Sequence, residues 1–334
     1  MAALRILTLR AKIIILAVLS LITAGVGLWG VLSGTVHIGL FELIALFSGQ
    51  GDNMARQIIF EVRLPRVLLA FSVGGGLSIA GAVYQAILMN PLAEPYILGI
   101  SSGAAFGAVL SLLIGAGFII TQLFSFAGGF AVILLVFLLG KRFGELEPNT
   151  LLLSGVMVGA FFSASILMMV TFLNESLRTA VYWLIGSLSF ADPRAVYVVL
   201  PISIVISFIL SLNAQKYNVL ALGTETAKNL GVNTEVLKNV TYVLSSMLVG
   251  TLVSVSGIVG FVGLLIPHVC RMLFGTDNRL VVPASFLIGA AYLTAADTIA
   301  RTIIAPAEIP VGAVTAFLGA PIFIYLLRKR FYVM

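Results

Sequence analysis

The sequence predicts an all-α protein that crosses a membrane about ten times. Hydrophobic residues make up 60% of the 334 residues and charged residues only 10%, and the mean hydropathy of +1.15 is typical of a polytopic membrane protein. Long runs without a charged residue recur along the chain, and none alternates polar and apolar residues as a half-buried strand does. The net charge of +6 comes from scattered basic residues rather than one patch, so no nucleic-acid partner is expected.

Charge-free runs mark the predicted spans, because a charged residue at the centre of a membrane helix costs about 2.5–3.5 kcal/mol. A run of about 20 apolar residues is enough to cross the bilayer as a helix. The runs are 13–41, 67–93, 95–140, 148–174, 195–215, 239–270, 280–296 and 309–327.

Two of these runs are long enough to hold two spans each. The run 95–140 is broken at Gly115–Gly117. Several glycines and Pro267 interrupt the run 239–270, which we interpret as one full span and one short, broken span. The charge-free segment 179–191 is too short to cross and is predicted to be a re-entrant or surface helix. We therefore expect ten spans in a single transmembrane domain that covers the whole chain.

An even number of spans places both chain ends on one side of the membrane. Both ends are basic, with Arg10 and Lys12 near the first span and Arg328 directly after the last. Because cytoplasmic loops carry an excess of lysine and arginine, the termini of this multi-pass protein are predicted to be cytoplasmic. The first apolar run is too long for the core of a cleaved signal peptide, so we expect an uncleaved first span.

Residues 60–108 form the segment around which the chain is organised. Ser72, Gly76 and Ala80 are four residues apart and give the second span a small-residue face, which lets membrane helices approach closely. The stretch Asn90–Pro95 contains two prolines that cannot both lie in an unbroken helix, so it is predicted to be a turn. The segment therefore predicts two tightly packed helices joined by a sharp loop.

Several long motifs resemble those of the FecCD family of permeases, the membrane subunits of ABC importers for iron chelates, haem and cobalamin. They are RLPR from residue 63, GAVYQAILMNPLAEPYILGISSGA from residue 81, LGTETAKNLGV from residue 222, GFVGLLIPHVCR from residue 260 and EIPVGAVTAFLGAPIFIYLLRK from residue 308. The similarity extends over nearly the whole chain. It implies the type II ABC importer permease fold, with ten membrane helices.

The resemblance also implies a transport subunit rather than an enzyme. A FecCD-like permease pairs with a second permease copy, here predicted to make a homodimer in the cytoplasmic (inner) membrane. It is served by two cytoplasmic ATPase subunits and one extracytoplasmic substrate-binding protein. ATP and Mg²⁺ belong to the ATPase, so this chain is expected to bind no cofactor. The implied substrate is an iron chelate (a siderophore complex or haem) or cobalamin, and the motifs do not choose among these.

The absence of sequence motifs for nucleotide and metal binding agrees with a transport role. The phosphate-binding motif GxxxxGK[ST] does not occur in the sequence, so the energy of ATP must come from a partner. His37 and His268 are far apart in the sequence and on opposite predicted faces, so no metal site is predicted. We interpret His268, Tyr84 and Met89 as packing residues rather than haem ligands.

The main alternative is an ion-coupled secondary carrier built from inverted repeats. Such a carrier usually places carboxylates at mid-membrane, and the predicted span interiors contain none. Asp297, near the outer end of the ninth span, is the nearest case, and it is expected to pair with Arg301 four residues later. A membrane scaffold protein without transport activity is a further alternative.

The longest predicted cytoplasmic loop, 216–238, is the candidate contact with the ATPase. Thr224 is a suitable N-cap and Gly231 a suitable C-terminal stop for a short helix, and Asn233 can cap the helix that follows. The alternative is an ordinary solvated loop. The resemblance assigns ATPase coupling to this loop, and the predicted coupling residues are Leu222, Gly223, Thr224, Glu225, Ala227, Leu230 and Gly231.

Three arginines on the predicted outer side contradict the positive-inside rule. Arg63 and Arg66 precede the second span, and Arg301 lies at the outer end of the ninth. The resemblance implies that they meet acidic residues of the substrate-binding protein. The alternatives are contact with lipid phosphate or pairing with a residue such as Glu61.

The fifth span is the candidate lining of the substrate route. Small and hydroxyl residues on it can line a path, but they suit helix packing equally well. The predicted route residues are Ser154, Gly155, Gly159 and Ser163. The family places the route between two permease copies, which would put Trp183 and Gly186 near its outer mouth.

Overall fold

The computed structural model describes residues 7–48, 52–142, 145–173, 176–189 and 192–331, and most of these residues are helical. The helices are α1 Leu9–Leu32, α2 Leu40–Phe47, α3 Asn53–Gln57, α4 Leu64–Ile87, α5 Ile100–Leu113, α6 Phe118–Leu139, α7 Pro148–Val170, α8 Leu177–Ile185, α9 Val196–Leu212, α10 Ala214–Leu220, α11 Thr224–Asn229, α12 Thr234–Ser256, α13 Val262–Phe274, α14 Asn278–Thr302 and α15 Val311–Phe331. Shorter helical turns are the π-helix Ile58–Arg63 and the 3₁₀ turns Pro95–Leu98 and Pro193–Ala195.

Ten apolar helices account for the predicted spans within the described residues. Seven are long and apolar enough to cross a membrane: Leu9–Leu32, Asn53–Ile87, Phe118–Leu139, Pro148–Val170, Pro193–Leu212, Thr234–Ser256 and Asn278–Thr302. Three are shorter: Ile100–Leu113, Val262–Phe274 and Val311–Leu326. The predicted all-α membrane fold is therefore confirmed, with ten as an approximate count, because the short helices do not cross the full hydrocarbon thickness unaided.

A small hairpin was not predicted from the sequence. The strand β1, Lys141–Arg142, pairs in antiparallel fashion with β2, Glu145–Leu146. Two-residue strands are too short to produce an alternating pattern, which is why the sequence does not reveal them. The hairpin connects α6 to α7.

The second span begins much earlier than predicted. The helix is continuous from Asn53 through the π-helix to Ile87, so the predicted span 67–93 is wrong at both ends. Arg63 and Arg66 therefore lie within a helix rather than before one. Pro65 has no backbone N–H to donate, and it lies just after the π-helix Ile58–Arg63, where the regular α-helical hydrogen bonding is already interrupted.

The helix α4 is the centre of the bundle, packing against α9, α12, α13 and α14. The predicted small-residue face is buried, and a Cβ at Gly76 would lie 2.5 Å from Leu252. A Cβ at Gly81 would lie only 1.8 Å from the carbonyl oxygen of Gly263. The backbones of α4 and α13 thus approach so closely that any side chain at Gly81 would separate them.

Two non-helical segments meet inside the bundle. The predicted turn after α4 is present, and the run 239–270 is broken between α12 and α13, as predicted. The Tyr96 hydroxyl donates to the carbonyl oxygen of Val259 and accepts from its amide, both at 3.1 Å. The Glu94 carboxylate accepts from the Phe261 amide at 3.1 Å. These bonds satisfy backbone groups that a broken membrane helix would otherwise leave unpaired.

The short helix α8, predicted to be a re-entrant or surface helix, is followed by a segment that is buried in the bundle. Gly186 follows it with φ +86°, and a Cβ at Gly186 would lie 2.2 Å from the carbonyl oxygen of Ile258. The Ser187 amide donates to Ser256 at 2.9 Å, and the Gly312 amide donates to Gly186 at 3.0 Å. The segment after α8 therefore holds together the end of α12 and the start of α15.

The antiparallel helices define two faces of the molecule. The N-terminal face contains the start of α1, the hairpin, α10, α11 and the loop 275–277. The opposite face contains the end of α1, the start of α4, the segment after α8 and the loop 303–310.

Candidate functional site

Four polar residues form the strongest charged site on the opposite face, and we call them the Arg66 cluster: Arg66, Ser189, Asp297 and Glu308. Arg66 donates from Nη2 and Nε to Asp297 at 2.9 and 3.0 Å, and from Nη1 to Glu308 at 3.0 Å. Ser189 donates to the Glu308 carboxylate. The cluster thereby connects α4, α14, the segment after α8 and the loop before α15.

The acidic members of the cluster differ in exposure. The Asp297 side chain is 2% exposed, whereas that of Glu308 is 36% exposed. Partial burial alone would raise the pKa of Glu308, but the hydrogen bond from Ser189 and the charge of Arg66 outweigh it. The pKa of Glu308 is therefore below its ordinary value, and Glu308 is ionised at neutral pH.

The other two predicted docking arginines are buried against the end of α1. Arg63 donates to the carbonyl oxygens of Val31 and Leu32 at 3.2 and 3.1 Å. Arg301 donates to the carbonyl oxygen of Gly30. Both guanidinium groups thus lie against the C-terminal carbonyls of α1, where positive charge is favoured by the helix dipole.

The structure shows the expected pair of Asp297 and Arg301 and adds a closer partner for Asp297. Its closest and bidentate partner is Arg66, while Nε of Arg301 is 3.9 Å from it. Helix spacing predicted the weaker contact, and the stronger one comes from a helix far away in the sequence. The docking role of the three arginines remains a prediction. Among the residues that the structure describes, Arg66 is the one of the three with a partly exposed acidic partner, Glu308.

A second charged site lies on the N-terminal face around α11. The helix begins at Thr224, so its N-cap is Gly223 rather than the predicted Thr224. Gly223 and Gly231 have φ of +105° and +83°, which glycine adopts most readily. Asn233 caps α12 by accepting from the Val236 amide at 3.0 Å, as predicted.

The surface of α11 is exposed and carries both apolar and charged side chains. Leu222 and Leu230 at its two ends are 64% and 62% exposed, and the Glu225 side chain is 85% exposed. Ala227 faces inward and is buried. Lys228 donates to Glu145 of the hairpin at 3.1 Å, which raises the pKa of Lys228.

A third charged group joins three elements on the same face. Asp277 caps α14 and accepts from Asn218 of α10 at 2.7 Å, and it also pairs with Lys12 of α1. Burial alone would raise the pKa of Asp277, but the hydrogen bonds from Arg279, Lys12 and Asn218 outweigh it and lower that pKa well below its ordinary value.

The predicted route residues divide into two groups on α7. Gly155 and Gly159 face the turn before α5, because a Cβ at Gly155 would lie 2.6 Å from the Ile97 carbonyl oxygen and one at Gly159 3.6 Å from Gly99. Ser163 is exposed and Ser154 is partly exposed. The two glycines therefore serve helix packing, and the two serines are free to line a path.

Other residues named from the sequence also have clear positions. Tyr84 is fully buried, with its hydroxyl 2.5 Å from that of Ser246, and His268 is buried against Phe323. Both positions suit packing. Among the residues that the structure describes, no group of three or more His, Cys, Asp or Glu side chains is arranged to hold a metal ion.

Sequence reasoning missed Glu308, Ser189 and Glu94. Glu308 and Ser189 lie in connecting segments and gain their role only from contact with Arg66. Glu94 was assigned to a turn, and it caps the broken end of α13. An acidic residue directly before a proline inside an apolar motif is the signal that could have pointed to Glu94.

The fold is that of a polytopic membrane protein, and its charged sites lie on two opposed faces. The chain belongs to the FecCD transport family, whose family model matches residues 14–329. It is 39% identical over 316 residues to the uncharacterized ABC transporter permease protein YvrB of Bacillus subtilis, covering 90% of this chain and 89% of that one. It is 40% identical over 277 residues to the cobalamin import system permease protein BtuC of Halobacterium salinarum, covering 83% of this chain and 74% of that one.

A solved structure also matches this chain and supports its assignment to ABC transporters. It is described as an inward-facing conformation of a metal-chelate type ABC transporter, and it superimposes with a TM-score of 0.85 at 34% identity. The match covers 94% of this chain and 99% of the other. The chain is thus a permease subunit of an ABC transporter, a kind of protein that works with separate ATPase subunits and is not itself an enzyme.

Proposed function

We infer that this chain is the permease of an importer in the cytoplasmic membrane, and that ATP hydrolysis by a partner drives a metal chelate or cobalamin-like compound through it. The observation that carries this proposal is the pair of charged sites on opposite faces. One is an exposed short helix suited to an energy-supplying partner, and the other is an arginine cluster suited to an acidic partner. In this proposal ATP and Mg²⁺ stay on the ATPase, and the permease binds no cofactor.

The orientation follows from the basic residues of the N-terminal face. Lys12, Lys141, Lys228 and Arg279 lie on that face. Because basic loops stay in the cytoplasm, we assign the N-terminal face to the cytoplasm and the Arg66 cluster to the outside. Both chain ends are then cytoplasmic.

The ATPase contact is proposed at α11. The exposed leucines at its ends provide apolar area, and Glu225 between them provides a charge for orientation. The hairpin residue Glu145 is tied to Lys228, so movement of α11 would be passed to the hairpin and from there to α7. This chain of contacts connects the ATPase surface to the helix proposed to line the route.

A second copy of the permease is proposed to cover the apolar faces of α7 and α15. On α7, Met157, Phe161 and Leu167 are 65%, 66% and 71% exposed, and on α15 Phe317 is 79% exposed. In the proposed homodimer, part of this surface would face the partner copy and Ser154 and Ser163 would face the route between the copies. The rest would face lipid.

The outer partner is proposed to be an extracytoplasmic binding protein with acidic docking residues. Arg66 is the permease residue that would meet them, while Arg63 and Arg301 would hold the end of α1 in place beside it. The substrate stays a choice among metal complexes and metal oxyanions, since relatives of this chain are named for import of cobalamin, Fe(3+)-citrate and molybdate. An ion-coupled carrier is less well supported, because Asp297 is held in a bidentate ion pair.

Retention of the ATPase tests the proposed coupling surface. Glu225→Arg reverses a charge at the centre of the proposed contact, and like charges brought together at an interface cost several kcal/mol. We expect the purified variant to lose its co-purifying ATPase while keeping the elution profile of the parent. Glu61→Arg is the matched control, because Glu61 is also an exposed glutamate but lies on the opposite face, outside the loop 216–238. Equal retention by both variants would contradict the assignment of α11.

A further inference from the structure

The guanidinium group of Arg66 is fully occupied in this structure. Nε and Nη2 face Asp297, Nη1 faces both oxygens of Glu308 at 3.0 and 3.2 Å, and Nη2 also lies 3.5 Å from the Ser189 hydroxyl. The Arg66 side chain is only 14% exposed. An acidic partner that binds Arg66 must therefore displace one of its present partners.

Glu308 is the partner that can be displaced. Asp297 is 2% exposed and lies inside α14, so removing it from Arg66 would leave a carboxylate in the protein interior without its bidentate partner. Glu308 is 36% exposed and lies at the end of a loop whose residues 303–307 are all exposed. Water can solvate the Glu308 carboxylate as soon as it leaves Arg66.

Release of Glu308 would loosen contacts that hold the start of α15. The loop is attached by the Ile309 amide to Ala300 at 3.1 Å, and α15 by the Gly312 amide to Gly186 at 3.0 Å. The Glu308 side chain adds the ties to Arg66 and Ser189. Without it, the start of α15 loses its side-chain tie to the central helix α4, and the segment after α8 keeps only the 3.5 Å contact of Ser189 with Arg66.

We propose that Glu308 is an internal competitor for the docking partner. It occupies Nη1 of Arg66 when no partner is bound, an acidic side chain of the partner replaces it on docking, and its release frees the loop 303–310. The proposal rests on the proposed function, since it assumes an acidic extracytoplasmic partner. It identifies Glu308 as a positioning residue that couples docking to movement of α15.

The test measures affinity of the purified binding protein, without added substrate, for the permease–ATPase complex in lipid nanodiscs. Removing a competitor raises affinity, so Glu308→Gln is expected to lower the Kd about two- to fivefold, the range of a partly exposed ion pair. Glu61→Gln is the matched control, because Glu61 is an exposed glutamate on the same face and its loss changes the net charge equally. Its Kd should equal that of the parent.

Hydrogen–deuterium exchange separates competition from a purely structural role. In the parent, the amides of residues 303–310 are expected to exchange faster when the binding protein is added. In Glu308→Gln these amides should exchange faster than in the parent even without the binding protein, and adding the binding protein should change their exchange little. A Kd for Glu308→Gln equal to or above that of the parent would overturn the competition proposal while leaving docking intact. A parent complex that does not bind the protein at all would overturn the proposed function as well.

Discussion

Asp297→Asn is the most informative single change in the Arg66 cluster. It keeps the shape of the side chain but removes the charge that faces both Arg66 and Arg301, whose side chains are 14% and 8% exposed. Breaking a buried ion pair from one side usually costs 3–5 kcal/mol, because it leaves an uncompensated charge. Glu308 still compensates part of the charge of Arg66 in this variant. We therefore expect a loss of about 3 kcal/mol in the free energy of unfolding.

The loss should be measured by denaturant unfolding of the purified permease in detergent, with tryptophan fluorescence as the signal. Asp52→Asn makes the same chemical change at an exposed N-cap, where asparagine caps as well as aspartate, and should stay within about 0.5 kcal/mol of the parent. If Asp297→Asn is also within that margin, Asp297 does not compensate the two arginines, and the account of the cluster is wrong.

Two further predictions concern packing and pH. Gly81→Ala places a Cβ 1.8 Å from the Gly263 oxygen and should lower the free energy of unfolding by about 1–3 kcal/mol, whereas Gly25→Ala, with open space at the Cβ, should have little effect. Equal stability of the two variants would contradict the close contact of α4 and α13. Because the folded-state pKa of Asp277 is depressed, its stabilisation is fully present above the ordinary aspartate pKa of about 3.9 and is lost only as pH falls below it. The parent should therefore have a higher free energy of unfolding than Asp277→Asn, by the same difference at pH 7 and at pH 5. If that difference has already disappeared at pH 5, the prediction is wrong.

The sequence predicted most of the fold because the bilayer imposes strong rules. Charge-free runs located the membrane helices, and Gly257 and Gly260 located the break between α12 and α13, whereas Pro267 lies inside α13. The start of the helix before α4 was missed, because Arg56, Glu61, Arg63 and Arg66 interrupt the apolar pattern there. Contacts in the folded chain hold both Arg63 and Arg66.

The candidate site was predicted less completely than the fold. Motifs pointed to Arg66 and to α11, but the partners of Arg66 come from segments more than 100 residues away in the sequence. Helix spacing favoured the local pair of Asp297 and Arg301, and the bidentate geometry with Arg66 prevails because it gives two charge-assisted hydrogen bonds instead of one distant contact. Such long-range pairs leave no periodic pattern in one sequence.

ATP-driven uptake is the most direct test of the proposed importer. The permease would be reconstituted into proteoliposomes with its ATPase inside and the binding protein outside, and supplied in turn with labelled cobalamin, ferric citrate and molybdate. The proposal predicts uptake of at least one compound that requires internal ATP and the binding protein and is lost in Glu225→Arg. Uptake driven by an ion gradient in the absence of ATP would contradict it.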